Sequence, residues 1–306
     1  MRRRLQKMAQ DLIPGLVDQS DLDWDRLVRA RYLVRQAFRY EYESPIRRLR
    51  HQLIVVPPDQ HGDQRTLMSH LRFTPEAGRL TRRSDRYGNA VVEIRFAEVD
   101  SALDFEARVV VERSLGEERR LQSAEVAPRW LADKGLLTPA GLTEPGPRLR
   151  RMAGELAQEG LAGLELADRI NRCVRGALDY RPGVTGIHTS AEEALARGSG
   201  VCQDYTHVML ALCRLLRLPA RYVSGHLLGE GGTHAWVEAL LPSLAVGRAA
   251  AYGFDPTHGR PTGIRYVTVA VGKDYSDVAP TSGSYVGGSG HLTSAKRVDV
   301  VGFDYA

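Results

Sequence analysis

The sequence predicts an α+β fold, in which a β-rich region is followed by a region of helices and then strands. Before residue 115, apolar and polar residues alternate in short runs, as they do in half-buried strands. Apolar residues then recur at helical spacing from about residue 149, and strand-like runs return after Pro219. We therefore divide the chain into an N-terminal extension (1–27), a β domain (28–115) and a mixed domain (116–306).

Four alternating runs define the β domain, and turn-forming residues separate them. Pro57-Pro58, Pro75 and Tyr87-Gly88-Asn89 mark the breaks, because proline and glycine interrupt regular strands. Strands this regular predict a small β-sandwich. The runs cover residues 31–42, 49–56, 90–96 and 105–111.

Helical spacing opens the mixed domain after the break at Pro145-Gly146-Pro147. Apolar residues over 149–178 predict two helices, and a third helix begins near Cys202 and ends before Pro219. Ser199 or Gly200 is the expected N-cap of the third helix. The apolar stripe of that helix consists of Tyr205, Val208, Met209, Leu212, Leu215 and Leu216.

Strand-like runs complete the mixed domain, and the last of them is expected to close its sheet. The glycine-rich segment 283–290 lacks the strand–loop–helix context of a phosphate site and is predicted to be a mobile loop at the rim of a cleft. The runs cover residues 221–228, 234–241, 250–254, 265–271 and 298–303.

Cys202 lies in the first turn of the third helix. Unpaired backbone N–H groups and the positive end of the helix dipole favour a thiolate at that position. Gly198 and Gly200 lack side chains and leave room for a substrate backbone to approach. By itself, the position is also typical of a small buried cysteine, which is the usual environment of a free thiol.

His234 and Asp255 follow Cys202 in the chain, each beside a strand-like run. A lone histidine after the segment Gly229-Glu230-Gly231-Gly232 is more often a surface or core residue, and an aspartate before Pro256 is more often part of a turn. Together, however, cysteine, histidine and aspartate are the minimal set for acyl transfer by a thiolate. They supply a nucleophile, a proton shuttle and a carboxylate that orients the imidazole.

The motifs around these three residues closely resemble the bacterial transglutaminase-like superfamily. Further similarity lies at 189–195 before the cysteine and at 272–285 near the C-terminus, and segments 38–53 and 85–89 resemble the N-terminal β domain of many members. The resemblance covers roughly residues 28–306. The central motifs are Gly200-Val201-Cys202-Gln203-Asp204-Tyr205-Thr206-His207, Pro219-Ala220-Arg221-Tyr222-Val223-Ser224-Gly225, His234-Ala235-Trp236-Val237-Glu238 and Phe254-Asp255-Pro256-Thr257.

The resemblance implies a papain-like core in which the cysteine helix packs on an antiparallel sheet. It also implies that Cys202 is the nucleophile, that His234 is the general base and then the general acid, and that Asp255 orients the imidazole. The backbone N–H of Cys202 would form part of the oxyanion hole, together with one further donor.

Three further residues are candidates for the oxyanion hole or the cleft. Tyr180 is the candidate for the second oxyanion donor, although a strand-end aromatic residue that packs is an equally good interpretation. Gln203 is a second candidate in this group. Trp236 is expected to form the cleft wall beside His234, and it is equally typical of a core residue.

Two departures from the family pattern lie close to Asp255. Members usually carry asparagine after the Asp-Pro-Thr motif, where this chain has His258, which is expected to compete for a hydrogen bond near Asp255. A Gly-Trp pair usually precedes the aspartate, where this chain has Gly247-Arg248-Ala249-Ala250-Ala251-Tyr252. Both changes leave the three catalytic candidates in place and are expected to alter the shape of the cleft.

The charge distribution argues against nucleic-acid and membrane partners. The 306 residues carry a net charge of +5, but the arginine clusters are scattered and interleaved with acidic residues, whereas a nucleic-acid binder gathers them on one element. No apolar run has the length of a signal peptide or a membrane span, so we expect a cytoplasmic protein. The oligomeric state is left open.

The cysteine and histidine pattern predicts no metal and no cofactor. Three cysteines cannot form a complete set of disulfides, and Cys202 and Cys213 would lie about 16 Å apart along one helix. The sequence contains neither a Cys-x-x-Cys pair nor a His-Glu-x-x-His motif.

The favoured function is hydrolysis of peptide or protein amides by a cysteine peptidase or amidase, through an acyl-enzyme. A transglutaminase is the first alternative, in which an amine instead of water accepts the acyl group. A non-catalytic peptide-binding scaffold is the second, because one fold can host unrelated functions. The substrate is not specified by the sequence.

Overall fold

Two antiparallel sheets packed face to face form the N-terminal half of the chain. The computed structural model describes residues 17–76, 78–114, 122–243 and 247–306; the predicted extension 1–27 falls largely on residues 1–16, outside this set. Within the described part, the strands before residue 115 are β1 (Leu27–Tyr42), β2 (Ile46–Val56), β3 (Gln60–His61), β4 (Gln64–Thr74), β5 (Arg79–Ser84), β6 (Ala90–Val99) and β7 (Ala102–Ser114).

The sandwich is held together by the alternation that the sequence shows. Along β7, every second side chain from Leu103 to Val111 is buried, and the intervening ones are more exposed. Phe38 of β1 and Phe105 of β7 stack with ring centroids 4.6 Å apart in this core. The predicted β-sandwich is therefore confirmed.

A third antiparallel sheet forms the core of the mixed domain, in the order β14-β13-β12-β11-β15, with β8 also paired to β13. Apart from it, β9 and β10 form a short parallel pair. The strands are β8 (Gln122–Val126), β9 (Asp179–Tyr180), β10 (Ser199–Gly200), β11 (Ala220–Leu227), β12 (His234–Pro242), β13 (Ala249–Asp255), β14 (Arg260–Pro261) and β15 (Tyr266–Gly272).

Helices cover this sheet, and one of them lies at the centre of the domain. The helices are α1 (Lys134–Leu137), α2 (Pro147–Gln158), α3 (Gly163–Ala177), α4 (Ala191–Arg197), α5 (Cys202–Leu215) and α6 (Tyr275–Val278). Every residue of α5 from Asp204 to Arg214 is buried, because the helix packs on the sheet and under α2, α3 and α4. This arrangement confirms the α+β class and the papain-like core.

The end of the chain returns to the sandwich. Strand β16 (Thr281–Val286) pairs with β2, and β17 (Gly290–Tyr305) pairs with β1 over nearly its whole length. The predicted division assigned both segments to the mixed domain. They lie in the sandwich instead, because β17 adds an edge strand beside β1 and β16 adds an edge strand beside β2.

Candidate active site

Cys202 begins α5, directly after the β9–β10 pair. The N-cap of the helix is Val201, not Ser199 or Gly200 as expected. Asp204, three residues after Val201, fixes this start of the helix. Its Oδ2 accepts the backbone N–H of Val201 at 2.7 Å and the Thr185 hydroxyl at 2.6 Å. A side chain at Gly200 would meet that carboxylate at 2.6 Å, so glycine is required for this close approach.

His234 lies at the start of β12 with both ring nitrogens engaged. Nε2 is 2.8 Å from Asp255 Oδ2, and Nδ1 is 3.1 Å from Glu230 Oε2. The Cys202 side chain lies close enough to the imidazole to contribute to raising its pKa. Behind the ring, Trp236 and Tyr266 pack at centroid distances of 6.3 and 6.2 Å. The structure therefore places Cys202 near a hydrogen-bonded pair formed by His234 and Asp255.

Asp255 ends β13 and accepts five hydrogen bonds. Its Oδ1 accepts the backbone N–H groups of Thr257 at 2.9 Å and His258 at 3.3 Å. Its Oδ2 faces His234 Nε2, His258 Nδ1 at 2.7 Å and the Tyr266 hydroxyl at 2.8 Å. This set of donors fixes the carboxylate and favours its ionised form.

The electrostatics of the pair follow from these contacts. Burial by itself would raise the pKa of Asp255, but the hydrogen bonds from His234 and His258 outweigh it and hold the pKa well below its ordinary value. Burial by itself would likewise lower the pKa of His234. The hydrogen bonds to Asp255 and Glu230, together with the interaction with Cys202, outweigh it and raise that pKa, so the imidazolium form is favoured.

Glu230 and His258, both partly exposed, lie against His234. Glu230 Oε2 lies 3.1 Å from His234 Nδ1, and Glu230 Oε1 lies 3.2 Å from His258 Nε2. His258 thus connects Glu230 to Asp255, and its expected hydrogen bond near Asp255 is confirmed. The hydrogen bond with His234 lowers the pKa of Glu230, so the carboxylate stays ionised.

The three cysteines have different environments. Cys202 is partly exposed, whereas Cys213 is fully buried and its pKa is raised by burial to about 12. Burial also raises the pKa of Cys173, against the opposing effect of Arg169. Since a thiol reacts as its thiolate, Cys173 and Cys213 are poor nucleophiles near neutral pH.

The remaining sequence-predicted residues have distinct positions around the site. The Tyr180 side chain is exposed and close enough to Cys202 and His234 to interact with them electrostatically. Gln203 donates its side-chain N–H to Ile187 O at 3.3 Å, which fixes the neighbouring loop. Trp236 is buried and supports His234 from behind, so it is a core residue beside the site and not an open cleft wall.

Three residues that the sequence did not identify complete the surroundings. Tyr266 donates to Asp255, and Glu230 contacts His234. Asn171 of α3, with its amide oriented to satisfy its neighbours, donates to the carbonyl of Asp255 and accepts from Arg260 N–H, both at 3.1 Å. The only sequence signal for Glu230 was its place in the glycine-rich approach to His234; Tyr266 and Asn171 had none.

The site contains donor atoms of the kind that transition metals accept. One ligand atom each from His234, Asp255 and His258 lies within 4.8 Å of the others. In the structure these atoms hydrogen-bond to one another. The predicted absence of a metal and a cofactor stays a prediction.

Comparison with known proteins identifies both halves of the chain. Residues 150–251 match the transglutaminase-like superfamily, and residues 32–112 match the bacterial transglutaminase-like N-terminal region. An uncharacterised protein of Mycobacterium leprae is 30% identical over 265 residues, covering 81% of this chain and 90% of the relative. An uncharacterised protein of Mycobacterium tuberculosis is 37% identical over 136 residues, which cover 41% of this chain and 43% of that relative.

One solved structure has the same architecture across most of the chain. It is the crystal structure of a Cytophaga hutchinsonii protein that is provisionally named a cysteine protease. The TM-score is 0.71 at 22% identity, over 91% of this chain and 93% of the other. Within the described residues, no helix is both long and apolar enough to cross a membrane.

Proposed function

Because this chain belongs to the transglutaminase-like superfamily, we propose that it hydrolyses peptide or protein amides as a thiol-dependent amidase or peptidase. The observation that supports this proposal most directly is the hydrogen-bonded pair of His234 and Asp255, with Cys202 near the imidazole. The provisional name of the Cytophaga hutchinsonii protein agrees with the hydrolytic reaction. A cysteine with a purely packing role needs no such pair beside it.

In the proposed reaction, the Cys202 thiolate attacks the amide carbonyl carbon and forms a thioester. The His234 imidazolium gives its proton to the departing nitrogen, and the amine leaves. A water molecule then attacks the thioester, with His234 taking its proton, and the acid leaves as the thiolate is restored. Asp255 holds Nε2 of His234, so Nδ1 is the nitrogen that exchanges protons.

Stabilisation of the oxyanion is assigned to the start of α5. The Cys202 backbone N–H lies in the first helical turn and has no acceptor within the helix. This N–H belongs to the nucleophile itself and lies in the same turn, which is a placement suited to an oxyanion hole. Tyr180 stays the proposed second donor, because its hydroxyl-bearing side chain is exposed and near enough to Cys202 to interact with it electrostatically.

Transfer of the acyl group to an amine is the second candidate reaction. It uses the same acyl-enzyme and differs only in the acceptor. The observation that favours it is the ionised carboxylate of Glu230 at the open side of His234, since carboxylates attract cationic amines.

Capture of the acyl-enzyme tests the proposal. The protein is mixed with a panel of activated acyl esters and peptide amides, and the adduct is located by mass spectrometry. Wild type and Cys173→Ser should acquire one acyl group on Cys202, and Cys202→Ala should acquire none. Labelling that persists in Cys202→Ala, or that falls on another residue, would contradict the proposal.

A further inference from the structure

Glu230 occupies the open side of the site on a short loop between β11 and β12. The loop is fixed at both ends, since Glu230 N–H donates to Leu227 O at 3.1 Å and His226 Nδ1 lies 3.3 Å from Gly232 O. The Glu230 side chain is 39% exposed while its carboxylate contacts His234 and His258. It is therefore an ionised group held in place and still open to a ligand.

The Glu230 carboxylate lies beside the ring nitrogen of His234 that exchanges protons in the proposed reaction. Asp255 occupies Nε2 of His234, so the nitrogen of a leaving or attacking amine must come to Nδ1 to exchange its proton. Glu230 Oε2 lies 3.1 Å from the same Nδ1. Any amine in reacting position is consequently within a few ångströms of this negative charge.

Tyr180 adds a second feature that favours a cation. Its ring is 52% exposed, and it is near enough to Glu230, Cys202 and His234 to interact electrostatically with all three. An exposed aromatic ring near a carboxylate is a surface that organic ammonium groups bind. The two side chains would therefore offer a cationic amine both a negative charge and an aromatic face.

We propose that Glu230 and Tyr180 form an amine subsite that selects a leaving or attacking amine carrying a second, positively charged nitrogen. The inference rests on the acyl transfer proposed for Cys202. The second charge pairs with Glu230 and draws its carboxylate away from Nδ1, which frees that nitrogen for proton transfer. An amine with a neutral group in the same place leaves Glu230 on Nδ1.

The transfer step balances without a further reactant. The neutral nitrogen of the amine attacks the thioester carbonyl, a C–N bond forms, and the C–S bond breaks with its electron pair on Cys202. His234 accepts the amine proton at Nδ1, and the second nitrogen keeps its charge beside Glu230. Amide cleavage is the reverse of these steps, so the same subsite receives the leaving amine.

The partition of one acyl-enzyme between two amines tests the subsite. The protein is acetylated with 4-nitrophenyl acetate, and deacylation is followed with 1,2-diaminoethane or 2-aminoethanol, which differ in the second group. We measure N-acetylated amine against acetate by NMR. Wild type should prefer the diamine by about tenfold, the effect of one charge-assisted hydrogen bond, and Glu230→Gln should lose that preference because its neutral amide does not attract the second charge.

Two further variants make the result specific. Glu230→Lys should reverse the preference, since its charge repels the diamine, and Glu165→Gln, an exposed carboxylate on α3 outside the site, should behave as wild type. A preference that survives in Glu230→Gln, or wild type that does not discriminate although acetyl-Cys202 forms, would overturn the subsite. Failure of wild type to form acetyl-Cys202 would instead overturn the proposed function and the inference that depends on it.

Discussion

At the scale of single residues, the site depends on how completely Asp255 is hydrogen-bonded. Donors from three separate segments, the 255–258 turn, His234 and Tyr266, converge on one carboxylate. The sequence predicted Cys202, His234 and Asp255 as the catalytic set because each lies in a local motif and the three follow in a fixed order. It missed Tyr266 and Asn171, because residues that meet only after folding leave no local pattern.

Loss of the Tyr266 hydroxyl should have a graded effect. Tyr266→Phe keeps the ring against Trp236 and removes one of five donors to Asp255, so we expect the rate of acylation to fall by about tenfold or less. Tyr32→Phe is the matched control, since it removes a buried hydroxyl that donates to Ile264 O in the sandwich, and its rate should not change. A loss in Tyr266→Phe as large as that in His234→Ala would contradict this account.

The depressed pKa of Asp255 predicts a specific sensitivity to acid. A group with a lowered folded pKa contributes stability that is present above its unfolded pKa of about 4 and is lost as the pH falls through the folded value. Asp255→Asn lacks this contribution, so its free energy of unfolding should change less than that of wild type as the pH falls below about 4.

Urea unfolding at several acidic pH values measures this difference. Asp100→Asn removes an exposed carboxylate and should follow the wild-type pH dependence. An Asp255→Asn protein that loses stability with acid as steeply as wild type would show that Asp255 does not titrate in the expected direction.

At the scale of elements, the sequence predicted strands with a clear apolar face, such as β1 and β7, and missed a strand without one, β5. The runs of β1, β2, β6 and β7 alternate clearly, whereas every residue of β5 is exposed, so no apolar pattern marks it. Residues 283–286 of the glycine-rich segment, which was expected to be a loop, lie in β16 instead. Glycine is required at position 283, because a side chain there would meet Arg50 O at 2.6 Å.

Gly225 on β11 should tolerate no side chain. A Cβ there would lie 2.2 Å from Val267 O and 2.5 Å from the Trp236 ring, which supports His234. Gly225→Ala should therefore lower the free energy of unfolding by about 2 kcal/mol or more and displace Trp236. Thermal unfolding and tryptophan fluorescence measure the two effects.

Gly154 of α2 is the control for this substitution, because nothing lies within 4 Å of the position of its missing Cβ. Gly154→Ala should be neutral or stabilising, since alanine favours helix. Wild-type stability in Gly225→Ala would mean that β11, β15 and Trp236 are less closely packed than the structure shows.

At the scale of the whole molecule, the two halves are joined by a buried ion network and by the return of the chain. Glu238 of β12 accepts from Arg221 at 2.6 Å, and its other oxygen lies 3.0 Å from His61 Nε2 on β3 of the sandwich. The sequence showed the alternation of 298–303 but not that β17 pairs with β1. Pairing between segments about 250 to 280 residues apart depends on the folded arrangement of both halves.

Removal of the Glu238 charge should destabilise the whole protein. Glu238→Gln leaves Arg221 buried without its carboxylate, and we expect a loss of about 3–5 kcal/mol in the free energy of unfolding. Glu106→Gln breaks the largely exposed pair with Arg108 and should cost about 1 kcal/mol or less. Urea unfolding distinguishes the two, and equal small losses would contradict a coupling role for Glu238.

The reactivity of Cys202 is the central claim, and its alkylation rate is the most direct test. Iodoacetamide is added to wild type, His234→Ala and Cys173→Ser near neutral pH, and the modified cysteine is quantified by mass spectrometry. Wild type and Cys173→Ser should be alkylated at Cys202 at the same rate, and His234→Ala about a hundredfold more slowly, because the imidazole proposed to activate the nucleophile is removed. A folded His234→Ala protein that reacts as fast as wild type would show that Cys202 and His234 do not act as a pair.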